Sequence, residues 1–463
     1  MTDALPYETL RERHARTVAE LLPGLLAALD LPRADVLRLQ VKRLRELVAW
    51  AKEASPFHRR RLAAVDAASL TIEELPRLPI MTRSDMMASY DEILTDRRLT
   101  LDLVNSHLAG LREDAYLLDH HHAVMSSGSS GLRGVFVYDW EGWAICYCGY
   151  LRNLLRARRR EKRFYDDESG GILGAMNAAH SSTALFQTFS KRARHVIFSV
   201  TSSLAEIVDG LNRAQPTVLQ GYPSALHLLA LEAREGRLCI APKDLCVGAE
   251  PLLPEIRATL EATWPVPIWN AWGTSEAGAL ALSCGYAPGM HLSEDLVIVE
   301  PVDDQDRPVG PGTRSSAVLV TNLYNRVLPL IRCKITDEVV VVEEECPCGS
   351  KLRRIADIQG RSEEWFRYGD VSVHPVLFRD PLGMAPNVVE YQVVQTVPGA
   401  SIRIRTGGPV DLPSLRDAIA ASLRKAGVPE PEVDVASVAQ LPRSRTGKIQ
   451  RFVPLGRQGS QDS

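Results

Sequence analysis

The chain has 463 residues, more than one hydrophobic core usually organises, so two or more domains are expected. Its 45% hydrophobic and 24% charged composition, with a formal net charge of −3, excludes a disordered or fibrous protein and gives no global pull toward nucleic acid or an anionic membrane. No apolar run reaches the ~20 residues that span a bilayer. The opening MTDALPYETLRERHARTVAELL lacks the apolar centre of a signal peptide, so a cytoplasmic address is expected. Eight cysteines are too sparse for a disulfide scaffold in a chain of this size.

Residues 7–54 read as helical, with apolar side chains three and four apart. SPFHRRRL breaks that pattern, and LTIEELPRLPIMTRSDMMASY predicts a short capped helix after Thr82. A helical N-terminal segment of about 90 residues is therefore expected. MSSGSSGLRGVFVYDW (residues 125–140) follows, with four serines and three glycines before an apolar strand. It matches neither G-x-x-x-x-G-K-[ST] nor G-x-G-x-x-G. Its residues fit a flexible linker and a loop whose N–H groups and hydroxyls cradle phosphate equally well. A helix over residues 140–156 ends in the basic run RARRREKR, read as a solvated helix end or a patch for a phosphorylated ligand. Cys146 and Cys148, two apart on that helix, do not share a face and read as core.

Between residues 170 and 340, HVIFSV, TVLQGY, LCVGAE, PIWNAWG and AVLVTNL alternate with amphipathic stretches. This predicts parallel βαβ construction with ligand loops at the strand ends. The unusual loops fall there: Gly248-Ala249-Glu250 and Gly273-Thr274-Ser275-Glu276. After Gly360, EYQVVQT, SIRIRT, LPSLRDAIAASLRKAG and EVDVASV read strand, strand, helix, strand, a small α+β domain. A loop follows in which Gly447 can turn the chain to present Lys448, and residues 456–463 read as a disordered tail.

Taken together and in this order, five stretches resemble the adenylate-forming superfamily of acyl-CoA synthetases, aryl-acid adenylating enzymes and luciferases. They are SSGSSGLRG, NAWGTSEAG, LIRCKITDEV, DIQGRSEEWF and PRSRTGKIQR. CPCGSKLRRIADIQGRSEEW and SSGSSGLRGVFVYD are most similar to the phenylacetate–CoA ligase and coenzyme F390 synthetase group. The resemblance implies an α/β fold with a large adenylation domain (residues 1–360) of mixed sheets and helices and a small mobile α+β domain (residues 361–455). It also implies a ligase that activates a carboxylic acid, expected to be aromatic, as acyl-AMP and transfers the acyl group to CoA. The alternatives are another acceptor (a carrier protein, an amine or another nitrogen nucleophile, diazotisation-type chemistry included) or a non-catalytic nucleotide-binding relative.

Carried over by residue, Ser126, Ser127, Gly128, Ser129, Ser130 and Gly131 would wrap the ATP phosphates, with Arg133 beside them. Gly248, Ala249 and Glu250 would line the adenine pocket, and Trp272, within Asn270, Ala271, Gly273, Thr274 and Ser275, would lie on the ring. Asp337 would hold the ribose, Glu276 Mg²⁺, and Lys448 the charge that develops during adenylation, with Arg361 at the hinge. Tyr138, His180 and Tyr222, with Gly248 and Gly273, are candidates for the acid pocket. Two features depart from the family pattern: Arg133 stands where a phosphate-loop lysine is usual, and Cys333 where an aromatic residue follows the arginine of the ribose segment. Cys284, His291, Cys346 and Cys348 together form a Cys₃His set suited to structural Zn²⁺, although C-x-C is tighter than the common spacing; four separate buried residues are the alternative. A homodimer is compatible with this reading; neither nucleic acid nor membrane is an expected partner.

Overall fold

The computed structural model describes residues 5–126, 134–163, 165, 168–174, 178–189, 194–200, 202, 204–356, 358, 366–369, 371–373, 377–378, 381–382, 385, 387–443 and 449–455. Six helices open the chain: α1 (Tyr7–Ala27), α2 (Arg33–Ala54), α3 (Pro56–Arg61), α4 (Arg83–Ala88), α5 (Tyr90–Ile93) and α6 (Leu101–Gly110). The N-terminal helical segment thus runs beyond residue 90. Helix α4 starts as its sequence predicts: Thr82 Oγ1 accepts from Asp85 N, and the Asp85 carboxylate accepts from Thr82 N, a closed capping box.

A hairpin of β1 (His122–Met125) and β2 (Val135–Tyr138) leads into α7 (Trp140–Glu161). Alternating elements follow: β3 (Gly170–Gly174), α8 (Ser181–Phe189), β4 (His195–Ser199), α9 (Leu204–Ala214), β5 (Val218–Gly221), α10 (Pro223–Arg234), β6 (Asp244–Gly248), α11 (Pro254–Thr263) and β7 (Ile268–Thr274). Then come β8 (Gly278–Leu282), β9 (Met290–Leu292), β10 (Val297–Val302), β11 (Ala317–Asn322), β12 (Cys333–Ile335), β13 (Val341–Val342) and β14 (Arg354–Ile355). Last are β15 (Phe366–Tyr368), β16 (Val371–Val373), β17 (Val388–Gln395), β18 (Gly399–Thr406), α12 (Leu412–Lys425), β19 (Glu432–Ser437) and β20 (Phe452–Val453).

Nine strands make the main sheet, in the order β13-β14-β9-β8-β7-β6-β5-β3-β4. Strands β3 to β7 run parallel, as the βαβ pattern predicts, and β8, β9, β14 and β13 extend it antiparallel. AVLVTNL departs from the prediction. It forms β11 at the centre of a separate antiparallel sheet with β10 and β12, because no crossover helix separates it from its neighbours. The apolar face of α2 (Leu44, Leu47, Val48, Ala51) buries against Ile298, Leu323 and Ile331 beside that sheet. At the C-terminus, β19-β18-β17-β20 form a four-stranded sheet whose core runs continuously into that of α9, α10 and α11.

The basic run after residue 155 is in part a solvated helix end, with Arg159, Arg160 and Lys162 exposed, and in part a buried tether. Helix α7 continues into it as far as Glu161, and its buried arginines are spent internally. Arg156 donates from Nε to Asp30 (2.8 Å), and Arg158 from Nη2 to Asp244 (2.9 Å) and from Nη1 to Glu168 (2.6 Å). Arg160 adds a bond to Asp30 (2.7 Å), so the cationic end of α7 ties the N-terminal segment to the sheet.

Candidate active site

In an open parallel sheet, ligand loops lie beyond the carboxyl ends of the strands. Register brings Gly221, Val247 and Asn270 into line, and Gly248 opposite Ala271. Tyr222, the loop 248–250 and the loop 272–276 therefore share one sheet edge. Residue Ala249 sits there in the left-handed region at φ 65°, an uncommon backbone for a residue with a Cβ. His180 follows β3 at the same edge, just before α8.

Trp272 Nε1 donates to Asp337 Oδ2 at 2.7 Å, and both residues are buried. The aromatic residue and the carboxylate that the motifs single out are thus joined directly. Glu276 is also buried, and Arg83 Nη2 donates to its Oε1 at 2.7 Å. A carboxylate at that depth needs a cation or several donors. Arg83, the first residue of α4, supplies the charge. The backbone at residue 81 explains its reach: Met81 N donates to Arg332 O (3.0 Å) and Lys334 N to Met81 O (2.9 Å). Residue 81 so pairs in parallel with Cys333, on the strand that leads to Asp337. Cys333 lies beneath this crossing, its thiol pushed up to about 12 by burial. Arg83 was not foreseen as a site residue. The capping box set its place on α4, but nothing local in IMTRSDM announces a carboxylate 193 residues away.

The turn between β7 and β8 is held by three side chains. Tyr138 Oη donates to Ser275 O (2.8 Å), Asn322 Nδ2 to Glu276 O (3.2 Å), and Tyr324 Oη to Ala277 O (2.9 Å). Tyr138 is a correction: its ring is 1% exposed, between Trp143 and Tyr324, so it braces the motif rather than lining a pocket. Strand β2 is buried on both faces, which leaves no open side for that ring. Gly273 has a steric reason, since a Cβ there would lie 1.9 Å from Tyr150 Oη. Gly278 has a conformational one, at φ 62°. Asn270 is buried, its N–H on Ser283 Oγ (2.8 Å). Thr274 Oγ1 is buried with no hydrogen-bond partner among the described residues.

At the base of the Ser/Gly stretch, Ser126 N donates to Gly134 O and Gly134 N to Ser126 Oγ, each at 2.9 Å, which closes the loop on itself. Ser127, Gly128, Ser129, Ser130, Gly131 and Arg133 lie outside the described residues, as do Arg361 and Lys448.

Remote from this edge, the ligand atoms of Cys284, His291, Cys346 and Cys348 all lie within 4.8 Å of one another, and all four residues are buried. Cys284 and Cys346 sulfurs stand 3.5 Å apart, and His291 Nε2 lies 3.4 Å from Cys348 Sγ. A zinc ion with bonds of ~2.3 Å spaces two tetrahedral sulfurs by about 3.8 Å, whereas a disulfide needs ~2.05 Å. The donor set therefore fits a metal. His291 Nδ1 bonds Leu352 O at 3.0 Å, which turns Nε2 toward the sulfurs. The Cys284 thiol, then His291, Ser350 N–H and Arg156, hold the Cys348 thiol well below its ordinary range.

Comparison with known proteins agrees with this geometry. No family model matches the chain. It is similar to phenylacetate-coenzyme A ligase from Thermus thermophilus, 26% identical over 92% of this chain and 98% of that one. It is also similar to protein CapK from Staphylococcus aureus, 22% identical over 72% and 69%. The crystal structure of 2-hydroxyisobutyryl-CoA ligase in its postadenylation state superposes with a TM-score of 0.73 at 18% identity, over 92% of this chain and 91% of that one. The chain has the adenylate-forming fold. Against the same ligase in its thioesterification state, the TM-score is 0.60. The likeness extends to the mixed sheets and the terminal α+β element. Among the described residues, no helix is long and apolar enough to cross a membrane.

Proposed function

We propose that this chain is an ATP-dependent acid–thiol ligase that converts a carboxylic acid to its acyl-adenylate and passes the acyl group to CoA. The observation that carries this reading is the convergence, at one sheet edge, of Trp272 bonded to Asp337 and Arg83 bonded to Glu276. Asp337 is assigned to the vicinal ribose hydroxyls, and the strained 248–250 loop to the base. Glu276 fits Mg²⁺, a hard cation that takes one or two carboxylates plus phosphate oxygens; the bound ion supplies charge neutralisation of the polyphosphate. Arg83, the first residue of α4 and 23% exposed, adds a second cation at the same carboxylate.

A carboxylate attacking a phosphorus faces like-charge repulsion, and fixed cations and N–H donors offset it. The Ser/Gly loop closed by Ser126 and Gly134 is assigned to the phosphates, and Lys448 to the oxygen on which negative charge accumulates. Expulsion of pyrophosphate leaves AMP as a good leaving group for the CoA thiol. The T. thermophilus relative, named for phenylacetate, supports an aromatic acid as substrate. His180 and Tyr222 are the pocket candidates at the correct edge. Residues 1–360 and 361–455 are assigned as the two domains. The higher TM-score against the postadenylation form supports an arrangement suited to the first half-reaction. Zinc is assigned to Cys284, His291, Cys346 and Cys348, where it would cross-link the β8–β9 connection to the loop before β14.

ATP–pyrophosphate exchange across a panel of aromatic acids, with and without CoA, tests this function. Exchange with at least one aromatic acid and CoA-dependent thioester formation are expected. No exchange with any acid overturns adenylation; exchange without a CoA product redirects the acceptor to a carrier protein, an amine or another nitrogen nucleophile. Lys448→Ala is expected to abolish exchange.

A further inference from the structure

Helices α1 and α2 are joined by one tight turn, Ala28–Asp30, and the short stretch that leads into Arg33. On either side of this junction the helices have footings of their own. Leu25 of α1 belongs to the main core with Leu292 and Ile355, and Leu44, Leu47 and Val48 of α2 pack on Ile298 and Ile331. The junction shares neither core. Leu29 and Val36 form a separate apolar cluster whose third buried member is Leu352.

Polar contacts lead to the same loop. Ser350 Oγ donates to Leu29 O at 2.9 Å, and Asp30 Oδ1 accepts Arg156 Nε (2.8 Å) and Arg160 Nη2 (2.7 Å). Both arginines also donate to the Cys348 carbonyl, Arg156 from Nη2 at 3.2 Å, and Arg156 Nη1 lies 3.6 Å from the Cys348 sulfur. Arg33 pairs with Glu294 (3.1 Å), whose carboxylate also accepts Arg353 N (2.8 Å) and Nε (2.7 Å). Residues 343–353 form neither helix nor strand, and Gly349 turns there at φ 76°. A segment with so little backbone pairing holds one shape when side chains pin it. Cys346 and Cys348 are such pins: their sulfurs face Cys284 (3.5 Å) and His291 (3.4 Å), and His291 Nδ1 bonds Leu352 O at 3.0 Å.

We propose that the Cys/His cluster is the clamp on which the α1–α2 junction docks. Metal held there sets the shape of residues 346–352, and that loop, with Arg156 and Arg160, seats residues 29–36. This rests on the zinc assignment and is independent of the ligase reading. Linkage makes the coupling mutual: a metal that favours the docked junction is itself bound more tightly when the junction is docked. Because α1 and α2 keep their own cores, release of the junction is a local opening rather than loss of the fold.

The test uses the full-length chain and three measurements: zinc content, amide hydrogen exchange resolved by peptide, and zinc affinity against a competing chromogenic chelator. EDTA treatment, or Cys346→Ser, should remove the zinc and speed exchange in residues 29–36 about tenfold more than in residues 44–51. Asp30→Ala approaches from the other side, since Asp30 lies outside the ligand set. It should keep one equivalent of zinc, speed exchange in residues 29–36 about fivefold, and weaken zinc affinity by about the same factor. Zinc removal that leaves exchange at the junction unchanged overturns the clamp, and so does a rise of equal size in residues 29–36 and 44–51. Unaltered zinc affinity in an Asp30→Ala chain whose junction exchanges faster overturns the coupling, as does unchanged exchange in that variant. Protein purified without chelators that carries no metal overturns the zinc assignment itself, a failure that metal analysis tells apart from failure of the clamp alone. Should Cys346→Ser not fold, EDTA treatment and Asp30→Ala carry the same readouts.

Discussion

Helix α7 joins two buried clusters of titratable side chains. Near its C-terminal end, Arg156 donates to the sulfur and carbonyl of Cys348 (3.6 and 3.2 Å), beside Cys284, Cys346 and His291. Near its start, Trp143 Nε1 donates to Thr188 Oγ1 (3.1 Å), which in turn donates to Asp114 (2.8 Å). Asp114 also accepts from Tyr7 (2.7 Å) and pairs with His122 (3.3 Å), while His14 stacks on Trp140 at 4.0 Å. In the second cluster the carboxylate's capacity is spent on protein donors from α1, β1 and α8. Burial alone would raise its pKa, yet His122 and the hydrogen bonds from Tyr7 and Thr188 hold it low. In the first, three sulfurs and a nitrogen point at one another, and Arg156 on the Cys348 sulfur is one positive charge for a set of three thiols. Burial of ionisable groups does not by itself mark a ligand site; leftover ligand capacity converging on one point does.

Breaking the Cys/His side should have the largest effect. Cys348→Ser is expected to reduce zinc from one equivalent to well below it by metal analysis, and to lower Tm by more than about 10 °C, since structural zinc contributes on the order of 10 kcal/mol. A strong chelator applied to the unmodified chain should do likewise. Metal content far below one equivalent in protein purified without chelators would sink the zinc assignment. On the other cluster, chelator should be silent. Asp114→Asn there strands three donors around a neutral amide and should cost about 3 kcal/mol in urea unfolding, with zinc content unchanged. Loss of zinc from that variant would mean the two clusters are one cooperative unit.

How much of this was legible beforehand follows from the range of each interaction. The parallel strands, α9 to α11 and the C-terminal α+β element could be read because their signals are local: period, cap and turn within a dozen residues. AVLVTNL carried the same local signal as the parallel strands, and only its neighbours along the chain decide which sheet it joins. The basic run was legible only in its solvated half, because charge on a helix says nothing about Asp30 and Asp244, which meet Arg156 and Arg158 from other elements. Cys284, His291, Cys346 and Cys348 were already suggestive as a set, and the fold adds that their ligand atoms lie within 4.8 Å of one another. Trp272, Asp337 and Glu276 stood out through their motifs; the indole–carboxylate bond and the pairing with Arg83 are contacts across 65 and 193 residues, and no periodicity encodes them.

Acid should separate the clusters more finely than any truncation. Burial pushes the pKa of His14 down to about 3 and that of His121 to about 4, from an ordinary 6.5. Each is therefore neutral in the folded chain while its unfolded counterpart binds a proton as pH drops below 6.5. The unfolded state then holds more protons, so the contribution of each histidine is fully present above pH 6.5 and lost as pH falls toward 4. The slope approaches about 1.4 kcal/mol per pH unit per histidine as an upper limit. His14→Gln cannot take up that proton, and its amide N–H can still reach the Trp140 carbonyl that His14 Nε2 contacts at 2.6 Å. It should flatten the decline between pH 6.5 and 4 by about 1 kcal/mol per unit, measured as urea midpoints at fixed ionic strength. Because the Cys/His ligands lie elsewhere, zinc release during the same titration should keep its midpoint in His14→Gln. An unchanged stability slope in that variant would place the acid sensitivity in groups other than His14, His121 among them, and leave the His14–Trp140 stack as an inert brace.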